Sequence, residues 1–138
     1  MIRRVNHIAI VVEDLEAALG FWRDALGLPL AKTEENPGES VDIAFLPVGE
    51  SEVELLQPTD PESGIGKYLA KKGAGMHHVC IEVDDIEAAV RRLVEHGVQM
   101  INETPRVRDE GTRYAFVHPK SALGVLVELY EVPASARP

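Results

Sequence analysis

Two histidines and two glutamates stand at matching positions in the two halves of the sequence. Residues 7–19 and 78–90 are identical at seven of thirteen positions, and each segment begins with a histidine (offset 78 − 7 = 71). After a three-residue insertion in the second half, the offset becomes 74, so that Glu54 corresponds to Glu128. A repeat of this length indicates a duplicated supersecondary unit, which supplies one histidine and one glutamate each time.

Imidazole and carboxylate groups together suit a divalent first-row metal ion. If the two halves pack with pseudo-twofold symmetry, the duplicated residues converge on one site with two histidines and two carboxylates. Four protein ligands leave one or two positions open on an octahedral ion, and an open position distinguishes a catalytic metal site from a closed structural one. The predicted ligands are His7, Glu54, His78 and Glu128.

The alternation of side chains along the first strand of each half supports this choice. In residues 5–12 successive side chains point alternately to an apolar core face and to a second face, and His7 and Ala9 lie on the second face. Ala9 and its counterpart Cys80 are small, which leaves space over a metal ion for a ligand. Glu82 follows Cys80 on the same face and is a candidate to support the metal ligands from behind.

His77 is a second histidine beside the predicted ligand His78. Alternation turns His77 toward the core side, and the repeat matches it to Asn6 rather than to His7. The sequence therefore predicts that His78 is the ligand and that His77 is structural.

Hydrophobic spacing predicts two strand–helix–three-strand modules, residues 1–58 and 76–133, in one domain of residues 1–138. The pattern predicts an α+β fold. Strands are expected near residues 5–12, 28–32, 41–47, 52–57, 78–83, 99–101, 112–118 and 123–132. Helices are expected from an N-cap at Asp14 to Gly27, over residues 65–72, and from residue 86 to Gly97.

Composition and charge exclude several classes of function. A net charge of −9 makes a nucleic acid or an anionic membrane an unsuitable partner, because either would repel the surface as a whole. No apolar run approaches the roughly 20 residues of a membrane span. The N-terminus does not resemble a signal peptide, so a cytoplasmic location is expected. Cys80 is the only cysteine, which excludes an intrachain disulfide.

Several longer motifs resemble those of the methylmalonyl-CoA epimerase family, in the vicinal oxygen chelate (glyoxalase/bleomycin resistance/dioxygenase) superfamily. The resemblance covers nearly the whole chain, and its second-half segments are the more specific to the epimerases. The motifs are Asn6-His7-Ile8-Ala9, Val53-Glu54-Leu55-Leu56, Gly75 to Asp85, His118-Pro119-Lys120-Ser121 and Gly124 to Leu129.

The resemblance implies both a fold and an activity. The fold is two tandem βαβββ modules that form a cupped mixed sheet, with metal ligands at His7, Glu54, His78 and Glu128. The activity is that of an isomerase: a proton is removed from C2 of methylmalonyl-CoA and returned through a metal-stabilised enolate. The implied cofactor is a divalent ion (Co, Mn, Ni, Zn or Fe), the implied partner is an acyl-CoA thioester, and the implied assembly is a homodimer.

Inversion at C2 requires a base on one face and an acid on the other. Glu128, at the rim of the open metal face, is the first candidate. Asp42 is the second, because it aligns with a catalytic glutamate of some family members; the alternative is a surface aspartate, matched by the repeat to Arg113.

Three other functions of the superfamily remain as alternatives. A glyoxalase I-type lactoylglutathione lyase also moves a proton beside a metal ion. A ring-cleaving dioxygenase uses two histidines and one carboxylate with iron, which would leave Glu54 without a role. A small-molecule binding protein of the resistance type needs no set of four metal ligands.

Overall fold

The structure, a computed structural model, describes residues 1–137. The strands are β1 (Ile2–Val11), β2 (Lys32–Asn36), β3 (Val41–Val48), β4 (Ser51–Pro58), β5 (Gly75–Val83), β6 (Arg106–Val107), β7 (Arg113–Val117) and β8 (Val127–Glu131). The helices are α1 (Leu15–Leu19), α2 (Gly64–Lys72) and α3 (Ile86–Glu95). Short 3₁₀ turns cover Pro119–Ala122 and Ala134–Ala136.

The chain forms two compact units. The first unit runs from His7 to His77, and the second combines Met1–Asn6 with the chain from His78 onward. Strand β1 therefore supplies its first residues to the second unit and its remaining residues to the first.

The first unit contains strands in the order β2, β3, β4, β1. The pairs β2–β3 and β3–β4 are antiparallel, whereas β1 and β4 are parallel. Helix α1 buries one face of these strands, because every second residue there is apolar. This core consists of Val12, Leu19, Ala44, Leu46, Val53 and Leu55.

Helix α1 begins as predicted but does not continue as a regular helix. The Asp14 side chain accepts a hydrogen bond from the Ala17 backbone N–H at 3.0 Å and caps the first turn. From Gly20, a residue with low helix propensity, the chain continues as a π-helical stretch, Gly20–Ala25. It stops before Gly27, where φ is +93° and a residue without Cβ is favoured.

The second unit repeats this plan with strands in the order β1, β5, β8, β7, β6. Strands β5 and β8 are parallel, and β6–β7 and β7–β8 are antiparallel. Helix α3, capped by Asp85, packs on one face. The predicted strand at residues 99–101 is reduced to one bridge between Met100 and Val117. The core consists of Val83, Ile86, Val90, Met100, Ala115, Val117 and Leu129.

The register of the parallel strands repeats between the units. Ala9 lies opposite Glu54 in the first unit, and Cys80 lies opposite Glu128 in the second. The predicted α+β class and the two βαβββ modules are confirmed. Among residues 1–137, no helix is long and apolar enough to cross a membrane.

Candidate metal centre

The first unit brings His7 and Glu54 together. His7 lies two residues before Ala9 on β1, so both share the face to which β4 presents Glu54. The His7 Nδ1 atom is 3.3 Å from Glu54 Oε2. His7 is 2% exposed, whereas the Glu54 side chain is 14% exposed. A buried imidazole thus faces a carboxylate that remains partly open.

The second unit contains the same arrangement. The His78 Nε2 atom is 3.2 Å from Glu128 Oε1. Here the carboxylate is the buried partner, since Glu128 is 2% exposed and the His78 side chain is 11% exposed. The Phe116 ring meets the His78 ring edge-on, with centroids 6.1 Å apart. Each predicted histidine therefore has its predicted glutamate beside it.

The spacing within each pair fits two ligands of one metal ion. Neighbouring ligands at about 2.1 Å from an ion are about 3.0 Å apart in octahedral and about 3.4 Å apart in tetrahedral geometry. The observed separations of 3.3 and 3.2 Å lie within this range. Imidazole nitrogen and carboxylate oxygen are also the donors that first-row divalent ions accept. Each pair is therefore a suitable half of a metal centre.

His77 takes part in a different contact. Its ring packs against Tyr68 of α2 in the first unit, edge to face, with centroids 4.6 Å apart. Alternation along β5 turns the His77 side chain away from the face of His78. This environment suits the structural role predicted for His77.

Asp42, the second candidate acid or base, does not lie on the face of Glu54. Paired residues of adjacent strands share a face, and Asp42 pairs with Gln57. Gln57 is three residues beyond Glu54 on β4, so the side chains of Gln57 and Glu54 point to opposite faces. Asp42 therefore shares the α1 side with Ala44, whereas Phe45 lies opposite Glu54. Successive side chains of a strand point to opposite faces, so Asp42, three residues before Phe45, points to the face opposite that of Phe45 and Glu54.

The counterpart of Asp42 in the second unit lies on the equivalent face. Arg113 pairs with Glu131, on the side covered by α3. Its guanidinium donates to Glu131 at 3.4 Å and makes a short contact of 2.5 Å with Glu87 of α3. Arg113 thus ties the helix to the sheet, away from Glu128.

Glu82 is a fully buried carboxylate with several donors in the second unit. Its oxygens accept hydrogen bonds from Arg3 Nε at 3.1 Å, from Arg4 Nε at 3.0 Å and from Asn6 Nδ2 at 2.9 Å. Burial alone would raise the pKa of Glu82. The hydrogen bonds from Asn6 and Arg4, the charge of Arg4 and the hydrogen bond from Arg3 outweigh this effect and lower the pKa below its ordinary value. Glu82 is therefore ionised, and it fixes the beginning of β1.

A second charged group shares the face of Glu54 in the first unit. The Lys32 ammonium lies 4.9 Å from the centre of the Phe45 ring and 2.8 Å from Glu34 Oε1. Burial raises the pKa of Glu52, an effect that the nearby charges of His7 and Lys32 reduce. This side of the sheet is therefore electrostatically mixed rather than uniformly acidic.

Arg108 is the residue at this centre that the sequence pattern did not identify. Its Nη2 atom is 3.5 Å from Glu128 Oε2, the oxygen that does not face His78. In the sequence Arg108 belongs to a loose group of basic residues, and it lies on a loop with no periodic pattern; the group is Arg106, Arg108, Arg113 and Lys120.

Comparison with known proteins gives consistent similarities across the chain. Residues 6–116 match the model of the Glyoxalase/Bleomycin resistance protein/Dioxygenase superfamily. A mitochondrial methylmalonyl-CoA epimerase from Mus musculus is 42% identical over 91% of this chain and 71% of its own length. An ethylmalonyl-CoA/methylmalonyl-CoA epimerase from Cereibacter sphaeroides is 40% identical over 96% of this chain and 100% of its own. A solved methylmalonyl-CoA epimerase in complex with methylmalonyl-CoA and NH4+ has a TM-score of 0.86 and 35% identity, over 100% of both chains.

Proposed function

The chain belongs to the glyoxalase/bleomycin resistance protein/dioxygenase superfamily and, within it, to the methylmalonyl-CoA epimerase family, and on that premise we propose that it epimerises methylmalonyl-CoA at C2. The observation that carries the proposal is the duplicated histidine–glutamate pair, His7 with Glu54 and His78 with Glu128. A pair repeated with the same strand register in both units favours a shared chemical role.

We assign both pairs to one divalent metal ion. This assignment rests on the sequence duplication and on family membership, and the geometry within each pair supports it. When bound, the ion supplies positive charge as a Lewis acid to the oxygen of the enolate, a contribution of several kcal/mol. Ala9 and Cys80, which pair with Glu54 and Glu128 on the neighbouring strands, are small and fully buried side chains.

Glu128 is our candidate for the carboxylate that takes the proton from C2. Its burial at 2% exposure keeps water away, and Oε1 lies beside His78 while Oε2 lies beside Arg108. A base held this firmly needs little reorganisation during proton transfer. A general acid or base positioned in this way raises the reaction rate by roughly 10²–10⁴-fold. Return of the proton to the other face of C2 requires a second group.

Asp42 is a weak candidate for that second group, because it lies on the α1 face of its strand. We expect Asp42→Asn to change the rate of C2 proton exchange by less than about threefold, since the amide keeps the shape of the side chain and the carboxylate is not beside Glu54. Exchange rates measured by NMR in D2O test this expectation. A loss of exchange near 100-fold would restore Asp42 as the second acid or base.

The proposed function predicts metal-dependent exchange at C2. Purified protein, reconstituted with Co²⁺ and incubated with methylmalonyl-CoA in D2O, should introduce deuterium at C2, as followed by NMR. Removal of the ion by a chelator should lower the rate by about 100-fold or more, because the enolate charge is no longer balanced. Restoring Co²⁺ should restore the rate.

A parallel incubation with the hemithioacetal of methylglyoxal and glutathione tests the lyase alternative. Turnover of the hemithioacetal without exchange at C2 of methylmalonyl-CoA would overturn the epimerase proposal. Tight binding of a small molecule with turnover of neither substrate would favour the resistance-type binding protein. The physiological metal, the homodimer and the cytoplasmic location stay predictions from the sequence.

A further inference from the structure

We propose that Arg108 is a positioning residue that holds Glu128 as a single-oxygen metal ligand. The inference rests on the proposed metal centre, and it concerns one contact within the second unit. Arg108 Nη2 is 3.5 Å from Glu128 Oε2, and Glu128 Oε1 is 3.2 Å from His78 Nε2. The two carboxylate oxygens therefore face different partners.

This division of the carboxylate has a direct consequence for metal binding. A carboxylate can bind an ion through one oxygen or through both. The guanidinium engages Oε2, so this second oxygen is not available to a metal ion. Only Oε1, the oxygen beside the imidazole of His78, can then bind the ion. Groups that hydrogen-bond to a ligating carboxylate in this way orient it, and their loss weakens metal binding by roughly 10–100-fold.

The guanidinium is held in place by two aromatic rings. Its Cζ atom lies 4.3 Å from the centre of the Tyr114 ring and 5.8 Å from that of Tyr130. Tyr114 and Tyr130 pair across β7 and β8, on the same face as Glu128. A cation within about 6 Å of a ring face is attracted by it. The aromatic pair thus fixes the direction in which Arg108 reaches Glu128.

The backbone of Arg108 is equally constrained. It begins a tight turn, in which Arg108 N–H donates to the Thr112 carbonyl at 2.8 Å and Gly111 N–H donates to the Arg108 carbonyl at 2.9 Å. Gly111 has φ of +93°, and a Cβ there would stand 3.1 Å from Pro133 Cγ. The turn therefore requires glycine, and it places Arg108 directly after β6, opposite Thr112, which precedes β7.

Binding of Co²⁺ alone tests the proposal without reference to turnover. Titration calorimetry of the apo protein should give a dissociation constant that is weaker by about 10–100-fold in Arg108→Gln than in the unmodified chain. Arg108→Lys should be intermediate, because an ammonium keeps the charge but lacks the planar fork. Tyr114→Leu should weaken binding in the same direction, whereas Tyr114→Phe keeps the ring and should not.

Arg106→Gln is the matched control, since Arg106 is an exposed arginine on the neighbouring strand β6. It should leave the dissociation constant within about twofold. The visible absorption of bound Co²⁺ gives a second measurement, because a change from one to two carboxylate oxygens alters the coordination. An altered spectrum in Arg108→Gln, with an unaltered spectrum in Arg106→Gln, would support the proposal.

Two outcomes separate this proposal from the function proposed above. Equal Co²⁺ affinity and equal spectra in all Arg108 variants would overturn the role of Arg108 and leave the metal centre intact. No binding of Co²⁺ to the unmodified chain would overturn the metal centre and this role with it. If Arg108→Gln does not fold, as judged by circular dichroism, Arg108→Lys and Tyr114→Leu decide the question.

Discussion

Replacement of His78 by alanine is expected to lower C2 proton exchange by about 100-fold or more and to reduce the bound metal in parallel. The imidazole is one of the two donors of the second-unit pair, 3.2 Å from Glu128. Its removal takes one ligand from the ion and leaves Glu128 Oε1 without the imidazole beside it, so the remaining ligand of this pair is less well oriented. Metal analysis and NMR exchange rates on the same preparation measure both effects.

His77→Ala is the matched control, because it removes the same side chain one residue earlier on the same strand. His77 packs against Tyr68 and turns away from Glu128. The loss of an edge-to-face contact of this kind costs roughly 1 kcal/mol of stability and leaves metal content unchanged. If His77→Ala abolished metal binding while His78→Ala retained it, the assigned face of β5 would be wrong.

Replacement of Glu82 is expected to have the largest effect on stability. Glu82→Ala removes a fully buried carboxylate that accepts hydrogen bonds from Arg3, Arg4 and Asn6. The loss of this carboxylate should lower the free energy of unfolding by about 3 kcal/mol. This is the lower end for buried ion pairs, because the side chains of Arg3 and Arg4 are 31% and 25% exposed and regain water. For a chain of this length the expected fall in melting temperature is about 10 °C.

Urea unfolding of Glu82→Ala and Glu82→Gln measures this effect, with Glu95→Gln, an exposed residue of α3, as the control. The glutamine variant keeps the shape and should lose less stability than the alanine variant. Stabilities within about 0.5 kcal/mol of the unmodified chain for both Glu82 variants would show that the buried carboxylate does not hold the second unit together.

The same group predicts a dependence of stability on pH. The pKa of Glu82 is lowered in the folded chain, from an ordinary value of 4.5. Its stabilising contribution is therefore complete above that ordinary value and is lost as the pH falls through the lower, folded value. The unmodified chain should lose more stability below about pH 4.5 than Glu82→Gln does. Parallel curves for the two proteins would contradict the assignment.

The sequence predicted the features that have a period or a repeat. The alternation of β1 and β5 and the duplicated offset predicted which histidine would lie beside which glutamate, because strand register converts spacing directly into a face. The α+β class followed for the same reason. The side chains of His7 and His78 could therefore be assigned before any geometry was known.

What the sequence did not predict depends on contacts between distant segments. Asp42 was expected to act at C2 because it aligns with a catalytic glutamate of some family members, but it lies three residues before Phe45 and its side chain points to the opposite face of the strand. Arg108 lies in a turn, where no periodicity reports the direction of a side chain. Glu82 accepts hydrogen bonds from Arg3 and Arg4, which lie almost 80 residues earlier in the chain. A local sequence pattern cannot predict a contact between segments this far apart.

The division of β1 between the two units has a consequence for the order of folding. All residues of the first unit have been synthesised once His77 has left the ribosome, so this unit has its complete sequence while the second half of the chain is still being made. Met1–Asn6 must wait longer, because their partner Glu82 lies 76 to 79 residues further along. Contacts of such sequence separation form slowly, since a long loop must close first. Residues 1–6, which are synthesised before the first unit, thus join the unit that is completed after it.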